Sequence, residues 1–441
     1  MANQNHHDEQ ITPLAITNWR DIRRKFGIKR KNRRGHMYII GKTGTGKSTL
    51  IANMAISDME HGHGLALIDP HGDLAETVLR HVPQQRIKDV VYFNPGDLDF
   101  PVGFNLLESV DPRYHYLVVS GIIAVFKKIW SEYWGPRMEH IFRHALFTLL
   151  EAGTFTLLDV STLLTDYDFR QTIVGRISHP EVRKFWEHEF ERYSKSYRQE
   201  MVAPILNKLG QFLTSLPLRN IVGQKRSGFK IMELMDQGKI LIANLSKGMI
   251  GEDGSALLGA LLVTKIHLAA LSRANIAEPD RHGFYLYVDE VHNFLTLSFA
   301  DILSEARKYG LNLILAHQYG AQLDTRIQSA ILGNIGSLIA FRLGHEDAEL
   351  LSPSFHPVFT ESDLMSVPNY DIYLKLMIDG VTSNPFSATT LPLREAECSD
   401  AMEVIQYSRT HFARQRAIVE QDIFIGNARL SSQSTNQTAL L

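Results

Sequence analysis

The sequence predicts an α/β protein, a mostly parallel sheet with helices on both faces, broken by an all-helical insertion. Three observations carry this. Short apolar runs of strand length alternate with runs of helical apolar spacing, the rhythm of βαβ units. Residues 36–50, HMYIIGKTGTGKSTL, pass from an apolar strand through a glycine-rich turn into a helix start. Between residues 111 and 223 the strand signals stop and only helical spacing remains.

The chain opens on MANQNHHDEQ, which is polar and lacks the apolar core of a signal peptide. Residues 20–34, RDIRRKFGIKRKNRR, hold nine Lys or Arg and one acid. We read residues 1–35 as a polar, basic arm, with Arg30, Lys31, Arg33 and Arg34 as candidate phosphate contacts. Contact with the nucleotide, or with a neighbouring subunit, is the other use of such a run.

Next comes G-x-x-x-x-G-K-[ST] on Gly41, Gly46, Lys47 and Ser48. Gly41, Lys42, Thr43, Gly44, Thr45, Gly46, Lys47, Ser48 and Thr49 form the expected nucleotide-binding loop. Glycines let backbone N–H groups turn inward around phosphate oxygens. Lys47 should reach the β- and γ-phosphates of ATP, and the Ser48 hydroxyl should ligate Mg²⁺. The helix that follows adds its N-terminal dipole.

GLALID reads as a strand ending at Asp69, followed by the turn Asp69-Pro70-His71-Gly72-Asp73, the helix DLAETVLRHV and the strand VVYFN. Asp69 either approaches the metal or simply makes an Asp-Pro turn; His71 and Asp73 are weaker candidates. After the helical stretch, strands return as KILIANL, FYLYVDE, LNLILAHQ and GSLIAFRLG, then DIYLKLMIDG and PFSATTL. One helix from Glu395 to about Asp422 closes the fold, and the polar tail 426–441 is expected to be disordered. The α/β domain is therefore expected in two pieces, 36–110 and 224–425, around an insertion at 111–223.

Composition narrows the classes. At 441 residues with 44% apolar and 21% charged residues, the chain is ordinary globular material. A net charge of −2 means that any nucleic-acid affinity must come from local basic patches. The single cysteine, Cys398, excludes a disulfide framework within the chain and suits a reducing, cytoplasmic setting. None of the 19 histidines has H-E-x-x-H spacing. The apolar runs from Tyr116 and Ala256 are poor membrane spans: one is short, the other carries Lys265 and His267.

FYLYVDEVHNF is an apolar strand ending in two acids. Asp289 is placed to hold Mg²⁺ and Glu290 to activate the attacking water. LNLILAHQ ends in His317 and Gln318, and a polar side chain there can sense the γ-phosphate; Gln318 is the first choice and His317 the second. Arg307, in SEARKYGL, is favoured over Arg342 as the guanidinium that stabilises the transferred phosphoryl group, often from the next subunit. A surface pair with Glu305 or Glu346 is the plain alternative for Arg307. For DNA, Lys247 in NLSKGMIGEDG, Lys225, Arg226 and the basic arm could track a backbone without reading bases. Trp130 and Trp134 could stack on bases, but their helical spacing favours core packing.

GKTGTGKST, LIDPHGDL, a helical insertion, YVDEVHNF, EARKYGLNLILAHQ and PFSATT occur in that order, with Arg307 eleven residues before Gln318. From about Met37 to Phe424 the chain resembles the HerA–FtsK superfamily of ring-forming ATPases, and most of all the coupling-protein branch of type IV secretion and conjugation systems. The resemblance implies a RecA-like P-loop (ASCE) sheet with an all-α insertion domain. It further implies a homohexameric ring around DNA, Arg307 as a trans-acting finger and Gln318 coupling hydrolysis to movement. Relaxosome components or secretion-channel proteins become expected partners, met by the helical insertion. Familiar coupling proteins carry an N-terminal membrane anchor and this sequence shows none, so docking on a membrane partner at the inner face of the cell membrane is expected instead. Other readings stay open: a HerA-like helicase working with a nuclease, a protein-export or assembly ATPase that threads no DNA, and a nucleotide switch without motor function. Glu290 beside Asp289 argues against the last, since a pure switch needs no strong base.

Overall fold

The computed structural model describes residues 9–425 except 19, 21, 109–110, 298 and 396–399. The expected tail, Cys398, residues 1–8 of the expected arm and residues 396–399 of the expected closing helix lie outside that set. The described chain falls into two compact units: one of residues up to 93, 231–245 and 269–407, the other of 94–230, 246–268 and from 408 on.

The first unit is built on one sheet. Its strands in chain order are β1 (Ile11–Thr17), β2 (Lys25–Lys29), β3 (Met37–Ile40), β4 (Gly64–Asp69), β5 (Val90–Phe93), β6 (Ile240–Asn244), β7 (Phe284–Val288), β8 (Leu311–His317), β9 (Ser337–Ala340) and β10 (Asp371–Lys375), with β13 (Phe386–Thr390) completing it. Between β10 and β13, β11 (Met377–Ile378) and β12 (Val381–Thr382) pair only with each other. The sheet order is β2-β1-β13-β10-β9-β3-β8-β7-β4-β6-β5. From β9 to β5 all neighbours are parallel; from β9 to β2 all are antiparallel.

Sequence explains the change of regime. Every residue of β3, β4, β7 and β8 is buried, as a parallel strand covered by helices on both faces must be. β10 instead alternates buried Ile372 and Leu374 with half-buried neighbours. The helix Lys47–Glu60 begins at Gly46 and buries Leu50, Ile51, Met54, Ala55 and Met59, so its apolar side lies on the sheet core. It stops at His61-Gly62, where Gly62 takes φ 77°.

The basic arm is the main correction. Residues 11–17 and 25–29 are not an arm but two strands extending the sheet, with Leu14, Ala15 and Ile28 in the core. Nor is Arg33 available to a phosphate, because it is fully buried. Its guanidinium donates to Asp58 (2.6 and 3.0 Å), to the Thr12 hydroxyl (2.9 Å) and to the Tyr287 hydroxyl (2.6 Å). It also lies 3.9 Å from the centre of the Tyr285 ring. Tyr287 in turn donates to Asp58 at 2.5 Å. Lys31 is committed to Glu9 (2.8 Å) and Asp379 (2.9 Å). Of the four arm candidates only Arg34 is exposed, Arg30 being half-buried. A run of like charges reads as a solvated face, and the buried partner, Asp58, stands 25 residues away on another element.

The second unit is helical. His115–Ile129 and Pro136–Ala152 bury Val118, Val119, Ile122 and Phe126 against Met138, Ile141, Phe142 and Leu149 at i, i+3, i+4 spacing. Trp130 lies 5.1 Å from Phe126, and Trp134 lies 6.3 Å from Phe142 and donates to Glu139, so both tryptophans pack within this unit. The unit draws on three stretches of chain and not on 111–223 alone. The apolar run from Ala256 lies in the helix Lys247–Ser272, whose first part belongs here. A Cβ on Gly121 would stand 2.5 Å from Thr264, so the helix carrying each comes close to the other. Lys247 starts that helix instead of sitting in a loop, and pairs with Glu252 at 3.2 Å. Among the described residues, Lys247–Asn275 is long and apolar enough to cross a bilayer, and 61% of its apolar window is buried inside the protein, as in a core helix. The expected closing helix is broken: Ala401–Phe412 ends, and a second helical stretch starts at residue 416.

Arg33→Ala should lower the stability of the first unit by about 3–5 kcal/mol, because it strands a buried Asp58 carboxylate. Urea unfolding followed by far-UV circular dichroism reads this; a loss under about 1 kcal/mol, the size of a surface pair, contradicts the buried network.

Candidate nucleotide site

The loop after β3 is held by both neighbouring strands. The Gly41 N–H donates to the His317 carbonyl at 3.2 Å and the Lys42 N–H to the Arg342 carbonyl at 2.9 Å. Gly44 (φ 75°) and Gly46 (φ 116°) then turn the backbone through conformations that side chains rarely adopt, which presents successive N–H groups to one side. The Thr45 hydroxyl closes the loop on the Lys42 carbonyl at 2.7 Å. Lys47 is buried, and its ammonium donates to the carbonyls of Gly41 and Lys42. Burial lowers its pKa, while Glu290 and Asp289 pull the other way. Thr43, Gly44 and Ser48 are exposed, with Thr49 half-buried, so the outer face of the loop is open to solvent.

Asp289 follows β7, where its N–H donates to the Ile68 carbonyl of β4 at 3.0 Å. It is 5% exposed, and burial first, then the charges of Asp69 and Glu290, push its carboxyl up to about 7 against the opposing pull of Lys47. Asp69 accepts the N–H groups of His71 (2.8 Å) and Ala75 (2.9 Å), so the turn explains its geometry while its charge still acts on Asp289. Asp73 lies in the first turn of the helix Asp73–Arg80. Glu290 has φ 46°, an uncommon conformation for a residue with a side chain, and its N–H donates to Asp289 Oδ1 at 3.0 Å. One Glu290 oxygen lies 3.5 Å from His292 Nδ1.

β8 lies between β3 and β7, so its end faces the space between the loop and the paired acids. Gln318 accepts a 2.7 Å hydrogen bond from the Thr43 hydroxyl. His317 is buried with Nδ1 3.2 Å from the Tyr38 hydroxyl; burial, then His292 and Lys47, lower its pKa to about 3, which keeps the ring neutral. Arg307 sits in the turn Ala306–Tyr309, exposed, with no ion pair among the described residues. Arg342 is engaged instead, donating to the Asn369 side chain at 2.9 Å. The sequence reading missed Tyr370, whose N–H donates to the Thr45 carbonyl at 2.8 Å. Its only signal is the stretch VPNYD, a turn written without glycine.

The donors fit a magnesium ion. Ser48 offers a hydroxyl at the helix start, and Asp289 a buried carboxylate beside the acidic Asp69 and Glu290. No group of three or more His, Cys, Asp or Glu is arranged as a metal site among the described residues. Mg²⁺ does not need one, since it is commonly held by one or two protein oxygens plus phosphate and water.

Asp289 also sets a pH dependence. Its pKa is raised in the fold, so the unfolded chain ionises first and the native state is penalised as pH climbs from about 4 to about 7. Asp289→Asn should therefore raise the melting midpoint of the ligand-free protein at pH 8 and leave it nearly unchanged at pH 4.5. An equal shift at both pH values contradicts the assignment.

The profile of the type IV secretion-system coupling protein DNA-binding domain matches residues 25–352. Among solved structures, the bacterial conjugative coupling protein TrwB in its unbound monoclinic form superposes with a TM-score of 0.61 at 17% identity, covering 90% of this chain and 93% of that one. TrwB in complex with ADP and Mg²⁺ gives 0.60 at 15%, covering 90% and 94%. VirB4 of Thermoanaerobacter pseudethanolicus gives 0.53 at 12%, covering 89% and 98%. No curated protein matches in sequence. At these identities the superpositions speak for the fold, and they bear out the RecA-like P-loop architecture. The family profile spans β2 to the helix after β9 and takes in both halves of the site; the chain belongs to the type IV secretion-system coupling proteins, P-loop ATPases of the HerA–FtsK type.

Proposed function

We propose that the chain is an ATP-hydrolysing ring motor that moves DNA, acting as the coupling ATPase of conjugative transfer through a type IV secretion system. The observation that carries this is the order β3-β8-β7, which sets Gln318 between the phosphate loop and the Asp289–Glu290 pair and ties it to Thr43. That is a hydrolysis site with a built-in sensor, on a family whose profile is a DNA-binding domain.

In this reading the loop N–H groups and Lys47 hold the β- and γ-phosphates of ATP, and Lys47 exchanges its backbone carbonyl partners for phosphate oxygens. Glu290 takes the proton of the attacking water. Ser48 and Asp289 would hold Mg²⁺, which when bound neutralises charge on the phosphate oxygens. Gln318 trades its Thr43 partner for the γ-phosphate, and so reports whether that phosphate is present along β8. Arg307, exposed and without an ion pair among the described residues, completes the site of the next subunit in a homohexamer. DNA is tracked through its phosphates by exposed cations such as Arg34, Lys225 and Arg226, with Lys247 a further candidate. The helical unit meets relaxosome or channel proteins, and the ring works at the cytoplasmic face of the membrane, docked on a membrane partner.

ATPase activity per subunit should rise with protein concentration and with DNA, and DNA stimulation should fall as salt is raised. Arg307→Ala should poison wild-type rings in mixing experiments, lowering activity more steeply than its mole fraction. Activity independent of concentration and of DNA would sink the motor reading and favour an export ATPase that threads no DNA.

A further inference from the structure

Tyr370 is an aromatic side chain held where packing gives it little reason to be. Pro368-Asn369-Tyr370-Asp371 forms a turn closed by the Asp371 N–H on the Pro368 carbonyl at 3.2 Å. Tyr370 has φ 69° at the third position, where such turns normally take glycine or asparagine. A bulky side chain there is a backbone outlier that persists only where its surroundings fix it. They do: its N–H donates to the Thr45 carbonyl at 2.8 Å, and its carbonyl accepts from the Thr390 N–H (2.8 Å) and hydroxyl (3.0 Å). The strain does not serve burial, because Tyr370 is 52% exposed.

The ring lies against the phosphate loop. A Cβ on Gly46 would stand 2.9 Å from Tyr370 Cδ1, so the ring occupies the space beside the residue that starts the loop's helix. Asn369, bound by Arg342 at 2.9 Å, adds a polar edge next to it. Both come from the connection before β10, beyond β9 and thus on the side of β3 away from β8 and the acids. A triphosphate with its γ end toward Glu290 and Gln318 runs its sugar and base the other way.

We propose that Tyr370 is the nucleobase-binding residue of this site, its ring stacking on the base of the bound nucleoside di- or triphosphate. The inference rests on the nucleotide reading of the phosphate loop and adds where the base lies. It also accounts for the strain, since a rigid exposed ring loses little freedom when a base covers it. Stacking on an aromatic ring makes affinity for the nucleoside part separable from affinity for the phosphates.

The test is isothermal titration of the full chain, as wild type and as Tyr370→Phe, Tyr370→Ala and Tyr370→Gly, with Mg·ADP and with inorganic tripolyphosphate plus Mg²⁺. Tyr370→Gly should fold at least as well as wild type, since glycine adopts this φ freely. The Ala and Gly variants should bind ADP about tenfold more weakly, Phe should keep wild-type affinity, and tripolyphosphate should bind all four proteins alike. Unchanged ADP affinity in both Ala and Gly overturns the proposal. Equal loss for ADP and tripolyphosphate also overturns it, and makes Tyr370 a support of the loop. If wild-type protein binds neither ligand, the nucleotide reading itself fails and the stacking with it.

Discussion

Three carboxylates, Asp69, Asp289 and Glu290, gather at the ends of adjacent parallel strands with one buried cation, Lys47, among them. Like charges in a poorly hydrated place repel, and nothing in the packing alone would bring them together. The sheet does it: Ile68 pairs with Val288 and Ile40 with His317, so the residues that follow β4, β7, β3 and β8 emerge along one edge. Burial holds the Asp289 carboxyl up at about 7. Such a site favours a bound cation, and in the proposed function Mg²⁺ is that cation.

From this constraint the rest of the first unit follows. The candidate phosphate loop is hung from the ends of β8 and β9 by backbone bonds, and Gln318, just past β8, is bonded to Thr43 within it. A change at the loop is therefore felt first at the end of β8. The buried side of the same strands is locked by Arg33, Asp58 and Tyr287, which join the β2–β3 connection to the P-loop helix and to β7 two residues before Asp289. The acids stand on a strand fixed from within, so movement is left to the loops.

The placement of the candidate site was legible in the sequence because it is local. GKTGTGKS and VDE each place their functional atoms within a few residues, and an apolar run before each fixes a strand. The position of Gln318 was legible for the same reason, as the first residue after a strand's end. What stayed hidden depends on distant partners. The strands Ile11–Thr17 and Lys25–Lys29 lie beside and within a charge run, and nothing local says that Arg33 would find Asp58 or that Ala15 would pair with Thr390. The helical unit was misjudged at its edges, because periodicity cannot tell which body a long apolar helix such as Lys247–Ser272 will join. Tyr370 was overlooked because its significance is a φ value, and no residue type announces a strained tyrosine.

In the proposed function Glu290 is the base of the hydrolysis site, and the phosphate loop binds independently of it. ATP affinity and the turnover number of Glu290→Gln, measured on one preparation, separate these two roles. The expected result is a kcat lower by about 10²–10⁴-fold with ATP affinity close to wild type. Hydrolysis at the wild-type rate would put the base elsewhere and remove the reason for the buried acidic pair.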